Sequence, residues 1–192
     1  ILTNINFDIQ EVGQTQLGRW GKCKLATVAF GHGIATTLLQ LAKGYSIITN
    51  GGFEVNPSLV FRENLPPKKR VLEKDLSGKI NPILRKIVST EEGTAKFANV
   101  KGYQVGGKTG TADQPTKGGY SKKKVNTFAS IFPSSNPKFV LAVMLDEPKV
   151  NKEFIYEYRD GRPSYKGNWR NTSGWTTVWV TGQIIDKIGP IL

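Results

Sequence analysis

The clearest hydrophobic pattern in the chain is a helical stripe. Apolar residues recur at helical spacing from Ile34 to Ile48, and the stripe is wide. Thr36 or Thr37 can cap its start, and Asn50-Gly51-Gly52 provides a left-handed stop. The pattern therefore predicts a core helix whose apolar face is largely buried.

A second helix is indicated by the residues that begin it. Asn81 is a good N-cap, and Pro82 suits the first helical position because that position needs no backbone N–H. An apolar stripe follows over Ile83–Val88, and Gly93 ends the helix. Between the two predicted helices, Phe53–Phe61 is typical of an edge strand, because it contains a proline.

The later part of the chain predicts an antiparallel hairpin and a covering helix. Two short β-rich runs, Thr127–Phe132 and Phe139–Leu145, are joined by turn-forming residues 133–137. Residues 110–126 contain glycines, a proline and a lysine triplet, and are predicted as a loop. A last helix is predicted from about Val178 to Ile188, where a Gly-Pro pair follows.

The remaining segments carry weaker patterns. Residues 62–79 are charged and contain two adjacent prolines, which predicts an exposed excursion. Residues 1–29 are broken up by glycines and stay unassigned. At 192 residues with 38% hydrophobic residues, the chain is long enough for one domain with a core.

The net charge, the single cysteine and the single histidine limit the partners and the kinds of site that the chain can have. The net charge is +12, which is compatible with an anionic partner such as nucleic acid, lipid or cell wall. The positive residues are scattered, so nucleic-acid binding is not expected. Cys23 and His32 each stand alone, which argues against a disulfide framework, a zinc site and a Ser-His-Asp triad. No metal or cofactor is expected, and the chemistry must use lysine, hydroxyl and carboxylate groups.

Candidate chemistry centres on the glycine-rich stretch Val105–Asp113, which matches the motifs of two different kinds of functional site. Gly102-x-x-x-x-Gly107-Lys108-Thr109 matches a phosphate-binding P-loop, the motif of nucleotidases. The apolar run that ends in Asp146-Glu147 could supply the magnesium-binding acids. A P-loop requires a helix directly after the Lys-Thr pair. Glycines and a proline follow instead, and these cost about 1 and 3 kcal/mol inside a helix, so the P-loop alternative is disfavoured.

The other interpretation takes Lys108-Thr109-Gly110 as the Lys-Thr-Gly motif of penicillin-recognising serine enzymes. On a strand, Lys108 and Gly110 share one face, and Thr109 and Thr111 share the other. Lys108 would supply a fixed positive charge, and the Thr109 hydroxyl would bind a substrate carboxylate. Gly110 would leave room for the helix of the nucleophile. The backbone N–H of Thr111 would be an oxyanion-hole donor.

Longer matches support this second interpretation. The stretch 93–113 closely resembles the class B penicillin-binding proteins, which are peptidoglycan D,D-transpeptidases, and so do residues 30–60. Residues 174–190 are most similar to the septal, division-type members. The resemblance covers about 30–192. It implies an α+β fold, in which an antiparallel sheet is flanked by helices in a β-lactamase/transpeptidase-like domain.

Two further motifs of that family are not found before the Lys-Thr-Gly strand. Ser-x-x-Lys, which provides the nucleophile, matches only at Ser121 and Ser135, and Ser-x-Asn matches only at Ser134. All three follow Lys108 and are interpreted as chance matches. We therefore expect residues 1–192 to be the C-terminal portion of a transpeptidase domain, inactive without the N-terminal half that carries the nucleophile.

The resemblance implies an enzyme that cross-links stem peptides through a serine acyl-enzyme and binds β-lactams. It would act at the periplasmic face of the inner membrane in cell division, with cell-division membrane proteins as partners. Lys108 is the expected catalytic residue, and Thr109, Gly110 and Thr111 are the expected substrate-binding residues. A serine hydrolase of the same fold, either a β-lactamase or a D,D-carboxypeptidase, remains an alternative, as does a non-catalytic scaffold.

Overall fold

A computed structural model describes residues 16–17, 20–29, 31, 33–59, 69–116, 119–159, 161–166 and 170–192. The chain divides into two compact units, residues 1–77 and residues 78–192, which are described separately. The elements are β1 (Gln16–Leu17), α1 (Lys24–Ala29), β2 (Ile34–Ala35), α2 (Leu38–Thr49), α3 (Leu76–Ser89), β3 (Gly106–Thr116), β4 (Gly119–Phe132), β5 (Phe139–Asp146), β6 (Ile155–Tyr156), β7 (Tyr165–Lys166) and α4 (Thr177–Ile188), with 3₁₀ turns at Lys96–Ala98, Ser173–Trp175 and Gly189–Ile191.

In the first unit, α2 confirms the first predicted helix. The Thr37 hydroxyl accepts a hydrogen bond from the backbone N–H of Gln40 at 3.1 Å, which is the predicted cap. Gly51 and Gly52 follow the helix with φ of +91° and +81°, so the left-handed stop is also confirmed. The predicted deep burial is wrong, because only Thr49 of this helix is buried.

The segment after α2 does not form the predicted strand. Over 53–59 the backbone forms isolated bridges at Phe53 and Ser58 and no continuous strand. Phe53 pairs with Arg70, whose guanidinium carbon lies 4.1 Å from the centroid of the Phe53 ring. Residues 60–61 lie outside the described residues. Pro57 cannot donate a ladder hydrogen bond, which disfavours a continuous strand through this segment.

The second predicted helix exists, but it begins earlier than its local signals indicate. α3 starts at Leu76, so the expected excursion over 62–79 is wrong at its end, and Pro82 lies inside the helix. The proline lacks the N–H for one helical hydrogen bond, and its ring crowds the carbonyl four residues earlier. The predicted stripe is confirmed for Leu84 and Val88, which are buried, but not for Ile83, which is exposed.

The second unit is built on the three-stranded antiparallel sheet β3-β4-β5. The β4–β5 hairpin confirms the prediction for 127–145. The predicted loop over 110–126 is wrong, because β3 and β4 stay paired as far as Thr116 and Gly119. Asp113 lies directly opposite Lys124 and forms an ion pair with it, so charges that look loop-like in the sequence are cross-strand partners.

α4 confirms the last predicted helix and packs on this sheet. Its buried residues Val178 and Ile185 join a core that also contains Phe128 of β4 and Val105, just before β3. The observed architecture is therefore α+β, with an antiparallel sheet flanked by helices, as expected.

Candidate active site

The Lys-Thr-Gly motif lies inside a strand, at one edge of the three-stranded sheet. Lys108 pairs with Ala129, and Thr109 pairs with Phe128. β3 continues for seven residues beyond Thr109, so no helix begins there. This contradicts the P-loop alternative, which needs helix N–H groups at that point.

The alternation of side chains along β3 divides the motif between two faces. Thr109 and Thr111 line a cavity of about 500 Å³, whereas Lys108 and Gly110 do not. This confirms the predicted pairing of faces. Other lining residues include Thr94, Lys96, Arg170 and Trp175.

Lys108 lies on the opposite face of β3 and is exposed. Its Nζ donates a hydrogen bond to the backbone carbonyl of Thr109 at 2.7 Å. On the same face, Gly106 packs against the backbone of α3, where an added Cβ would lie 3.0 Å from the nitrogen of Arg85. The lysine charge is therefore held at the edge of the sheet, beside the threonine that faces the cavity.

Arg85 holds the start of this strand. Its guanidinium donates to the Val105 carbonyl at 2.7 Å and to the Asn99 side-chain oxygen at 2.9 Å. Partial burial lowers the pKa of Arg85 from its ordinary value. An arginine stays charged despite such a shift, so both hydrogen bonds are charge-assisted.

Gly110 has an immediate neighbour within the sheet. An added Cβ would lie 2.6 Å from the hydroxyl oxygen of Thr127, which is its cross-strand partner and donates to the Gly110 carbonyl at 3.3 Å. The need for glycine is therefore already explained by Thr127. The role expected from the sequence, room for a nucleophile-bearing helix, stays a prediction.

Two hydroxyl contacts were not predicted from the sequence. The Thr109 hydroxyl lies 3.2 Å from that of Thr94, and the Thr111 hydroxyl lies 3.0 Å from that of Ser173. Thr94 falls within the matching stretch 93–113, which is a signal that could have marked it. Ser173 lies 62 residues from Thr111, and nothing in the sequence pattern links the two.

The rest of the cavity combines an aromatic surface with charges of both signs. Trp175 and Tyr158 both contact the buried Phe97 ring, at centroid distances of 5.4 and 4.6 Å. Glu91 forms ion pairs with Arg162 at 3.0 Å and with Lys96 at 3.6 Å. The cavity can therefore accept a ligand that has both apolar and charged parts.

Comparison with known proteins identifies the family. Residues 2–164 match the family profile described as the penicillin-binding protein transpeptidase domain. The chain belongs to this transpeptidase family. It is 38% identical over 136 residues to a probable peptidoglycan D,D-transpeptidase PenA from Neisseria flavescens, a match that covers 69% of this chain and 33% of that protein. It is 31% identical over 188 residues to a probable peptidoglycan D,D-transpeptidase FtsI from Caulobacter vibrioides, which covers 91% of this chain and 29% of that protein.

The solved structures agree with the sequence comparisons. The apo transpeptidase domain of penicillin-binding protein 3 from Burkholderia pseudomallei is similar with a TM-score of 0.70 and 28% identity, over 92% of this chain and 50% of that one. This transpeptidase-family chain thus spans about a third of the curated relatives that it matches, and about half of that crystallised domain.

The serine matches named above do not form a nucleophile site. Ser121 lies on β4, and Ser134 and Ser135 lie in the turn between β4 and β5. None of them stands at a helix start, where a neighbouring lysine one turn later could act as base. Within the described residues, no three metal-ligating side chains form a cluster that could hold an ion.

Proposed function

We propose that this chain supplies the substrate-holding strand of a peptidoglycan D,D-transpeptidase. In that reaction a serine hydroxyl attacks the carbonyl carbon of the penultimate D-alanine of a stem peptide. The terminal D-alanine leaves with a proton on its amine. The amine of a second stem peptide then attacks the ester, which restores the serine and forms the cross-link. β-lactams would acylate the same serine.

The observation that carries this proposal is the placement of Thr109. Its hydroxyl is within hydrogen-bond distance of Thr94 and opens to the cavity. If Thr94 donates to it, the proton of Thr109 is free for a substrate carboxylate. Hydrogen bonds to charged groups are the stronger ones, so this is a suitable carboxylate-binding group.

The other three motif residues take complementary roles in the proposal. The exposed charge of Lys108 would attract the substrate carboxylate and stabilise negative charge near the nucleophile. Gly110 would allow close approach at the face shared with Lys108. The Thr111 N–H would serve as an oxyanion-hole donor.

We further propose a role in septal cell-wall synthesis at the periplasmic face of the inner membrane. Support comes from the resemblance of 174–190 to division-type enzymes and from the similarity to a relative named FtsI. Cell-division membrane proteins would then be partners. Among the helices that the structure describes, none is long and apolar enough to cross a bilayer.

Labelling with a fluorescent penicillin tests this function. The native gene product should be labelled covalently, and excess unlabelled penicillin should abolish the label. The isolated 192-residue polypeptide should not be labelled, because its Ser-x-x-Lys matches lie on a strand and in a turn. Absence of label on the native gene product would contradict the proposal, and label on the isolated polypeptide would contradict the assignment of its serines.

Replacing Thr109 by valine should weaken penicillin binding before acylation. The substitution keeps the shape and removes the hydroxyl. The loss of a hydrogen bond to a carboxylate, worth about 1.5–3 kcal/mol, predicts a rise of about 10- to 100-fold in the dissociation constant of the noncovalent complex. Stopped-flow acylation of the native gene product measures it. Thr116→Val, at the far end of the same strand, is the matched control, and equal effects of the two substitutions would refute the assigned role.

A further inference from the structure

A closed group of hydrogen bonds links β3 to the 3₁₀ turn before α4. The backbone N–H of Ser173 donates to the Thr111 hydroxyl oxygen at 3.0 Å. The Ser173 and Thr111 hydroxyl oxygens are 3.0 Å apart. The Ser173 hydroxyl also donates to the Gly110 carbonyl. Ser173 therefore contacts both residues at the point where β3 carries the proposed oxyanion-hole donor.

The donors and acceptors in this group can be assigned without ambiguity. A serine hydroxyl has one proton, and that of Ser173 is directed to the Gly110 carbonyl, which can only accept. The hydroxyl of Thr111 must then be the donor to the Ser173 oxygen. Its own oxygen accepts from the Ser173 N–H. The proton of the Thr111 hydroxyl is therefore used within the protein.

Ser173 is itself fixed from other directions. It is 1% exposed, and its carbonyl accepts a hydrogen bond from the Thr177 hydroxyl at 3.3 Å. The buried Asn126, opposite Thr111 on β4, donates through its side-chain amide to the side chains of Asn171 and Thr176, both at 2.9 Å. These bonds hold the turn on both sides of Ser173.

The next residue leaves the turn little freedom to move. A Cβ added to Gly174 would lie 2.7 Å from the carbonyl oxygen of Thr94. The turn is thus packed between β3 and the segment that contains Thr94, whose hydroxyl contacts that of Thr109. A displacement of the turn would disturb both threonine positions.

We propose that Ser173 is a positioning residue, which fixes the peptide between Gly110 and Thr111 and so directs the Thr111 N–H. This inference rests on the proposed function. It assigns the side chain of Thr111 to structure and leaves Thr109 as the hydroxyl offered to the substrate. Ser173 acts on the acylation step, because an oxyanion donor stabilises charge that develops only in the transition state.

Acylation kinetics of the native gene product with penicillin test the proposal. Ser173→Ala should lower the acylation rate constant at saturating penicillin about tenfold, as expected for a misdirected oxyanion donor. The dissociation constant of the noncovalent complex should stay within about twofold, in contrast to Thr109→Val. Thr181→Val is the matched control, since it removes a buried hydroxyl of α4 that has no hydrogen-bond partner among the described residues.

A second variant keeps the test decisive if Ser173→Ala unfolds. Thr111→Val breaks the same group of bonds from the other side and retains the backbone N–H. It should lower the acylation rate constant to a similar extent, and the double variant should be no slower than either single one. An unchanged acylation rate constant in Thr111→Val, or equal slowing by Thr181→Val and Ser173→Ala, would overturn the positioning role. Failure of the wild-type protein to be acylated would instead refute the proposed function.

Discussion

Replacement of Lys108 by alanine is expected to lower acylation of the native gene product by penicillin by about 10²-fold or more, the range found when one preorganised group that stabilises developing charge is removed. The ammonium group is exposed at the sheet edge and is held by the Thr109 carbonyl at 2.7 Å. Its loss removes a fixed positive charge without emptying any part of the core. The second-order rate constant for acylation measures the effect.

The control for this prediction is another exposed lysine in the same sheet. Lys122→Ala on β4 changes the net charge by the same amount, and Lys122 is also exposed. It should leave acylation within about twofold of the wild-type rate, because exposed charges more than about 10 Å apart are largely screened at 0.1 M salt. If both variants slow acylation equally, the net charge matters and the position of Lys108 does not.

The largest expected effect on stability comes from Gly182→Ala in α4. The added Cβ would overlap the carbonyl oxygen of Phe97 and would approach the guanidinium of Arg159 within 2.8 Å. That guanidinium donates to the same carbonyl at 2.6 Å, so it cannot withdraw without losing a hydrogen bond. Overpacking in a core costs about 1–3 kcal/mol and sometimes more, and we expect the upper end here, about 3 kcal/mol, measured by chemical denaturation.

Gly78→Ala provides the comparison for this stability prediction. Gly78 lies in α3, is exposed, and has no atom within 4 Å of an added Cβ. The same change of residue should stabilise the protein by about 0.5–1 kcal/mol, since alanine loses less backbone entropy in a helix. Similar free energies of unfolding for the two variants would contradict the close packing of α4 on Phe97.

Local signals in the sequence predict those elements whose ends are determined locally. The Thr37 cap and the Gly51-Gly52 stop mark the two ends of α2, whereas Ile34, the first residue of the predicted stripe, lies in β2. Local signals predict the wrong structure where pairing between strands outweighs them. Residues 110–126 contain glycine and proline, yet the ladder between β3 and β4 holds them in strands, because residues such as Asp113 and Lys124 lie opposite each other only after the chain has folded.

α3 shows the same competition between local and distant effects. Asn81 and Pro82 form a good signal for a helix start, but α3 begins before them, at Leu76. An N-cap residue is useful only where N–H groups would otherwise lack partners. Inside the helix Asn81 is instead buried.

The part of the candidate site that lies on β3 could be predicted from the sequence. Alternation along β3 is enough to place Thr109 and Thr111 on one face and Lys108 on the other. The partners of those threonines come from other segments, and Ser173 reaches Thr111 only through the packing of α4 and its preceding turn. Short motifs carry no information on such contacts.

We propose that β3 holds the acyl donor of a D,D-transpeptidase. Mass spectrometry of the native gene product, incubated with a stem pentapeptide that ends in D-alanyl-D-alanine and with an amine acceptor, tests it most directly. We predict release of D-alanine with formation of the cross-linked peptide, and loss of both products in Lys108→Ala. Release of D-alanine with only the shortened, uncross-linked peptide would indicate a carboxypeptidase, and cross-linking that persists in Lys108→Ala would contradict the role assigned to this strand.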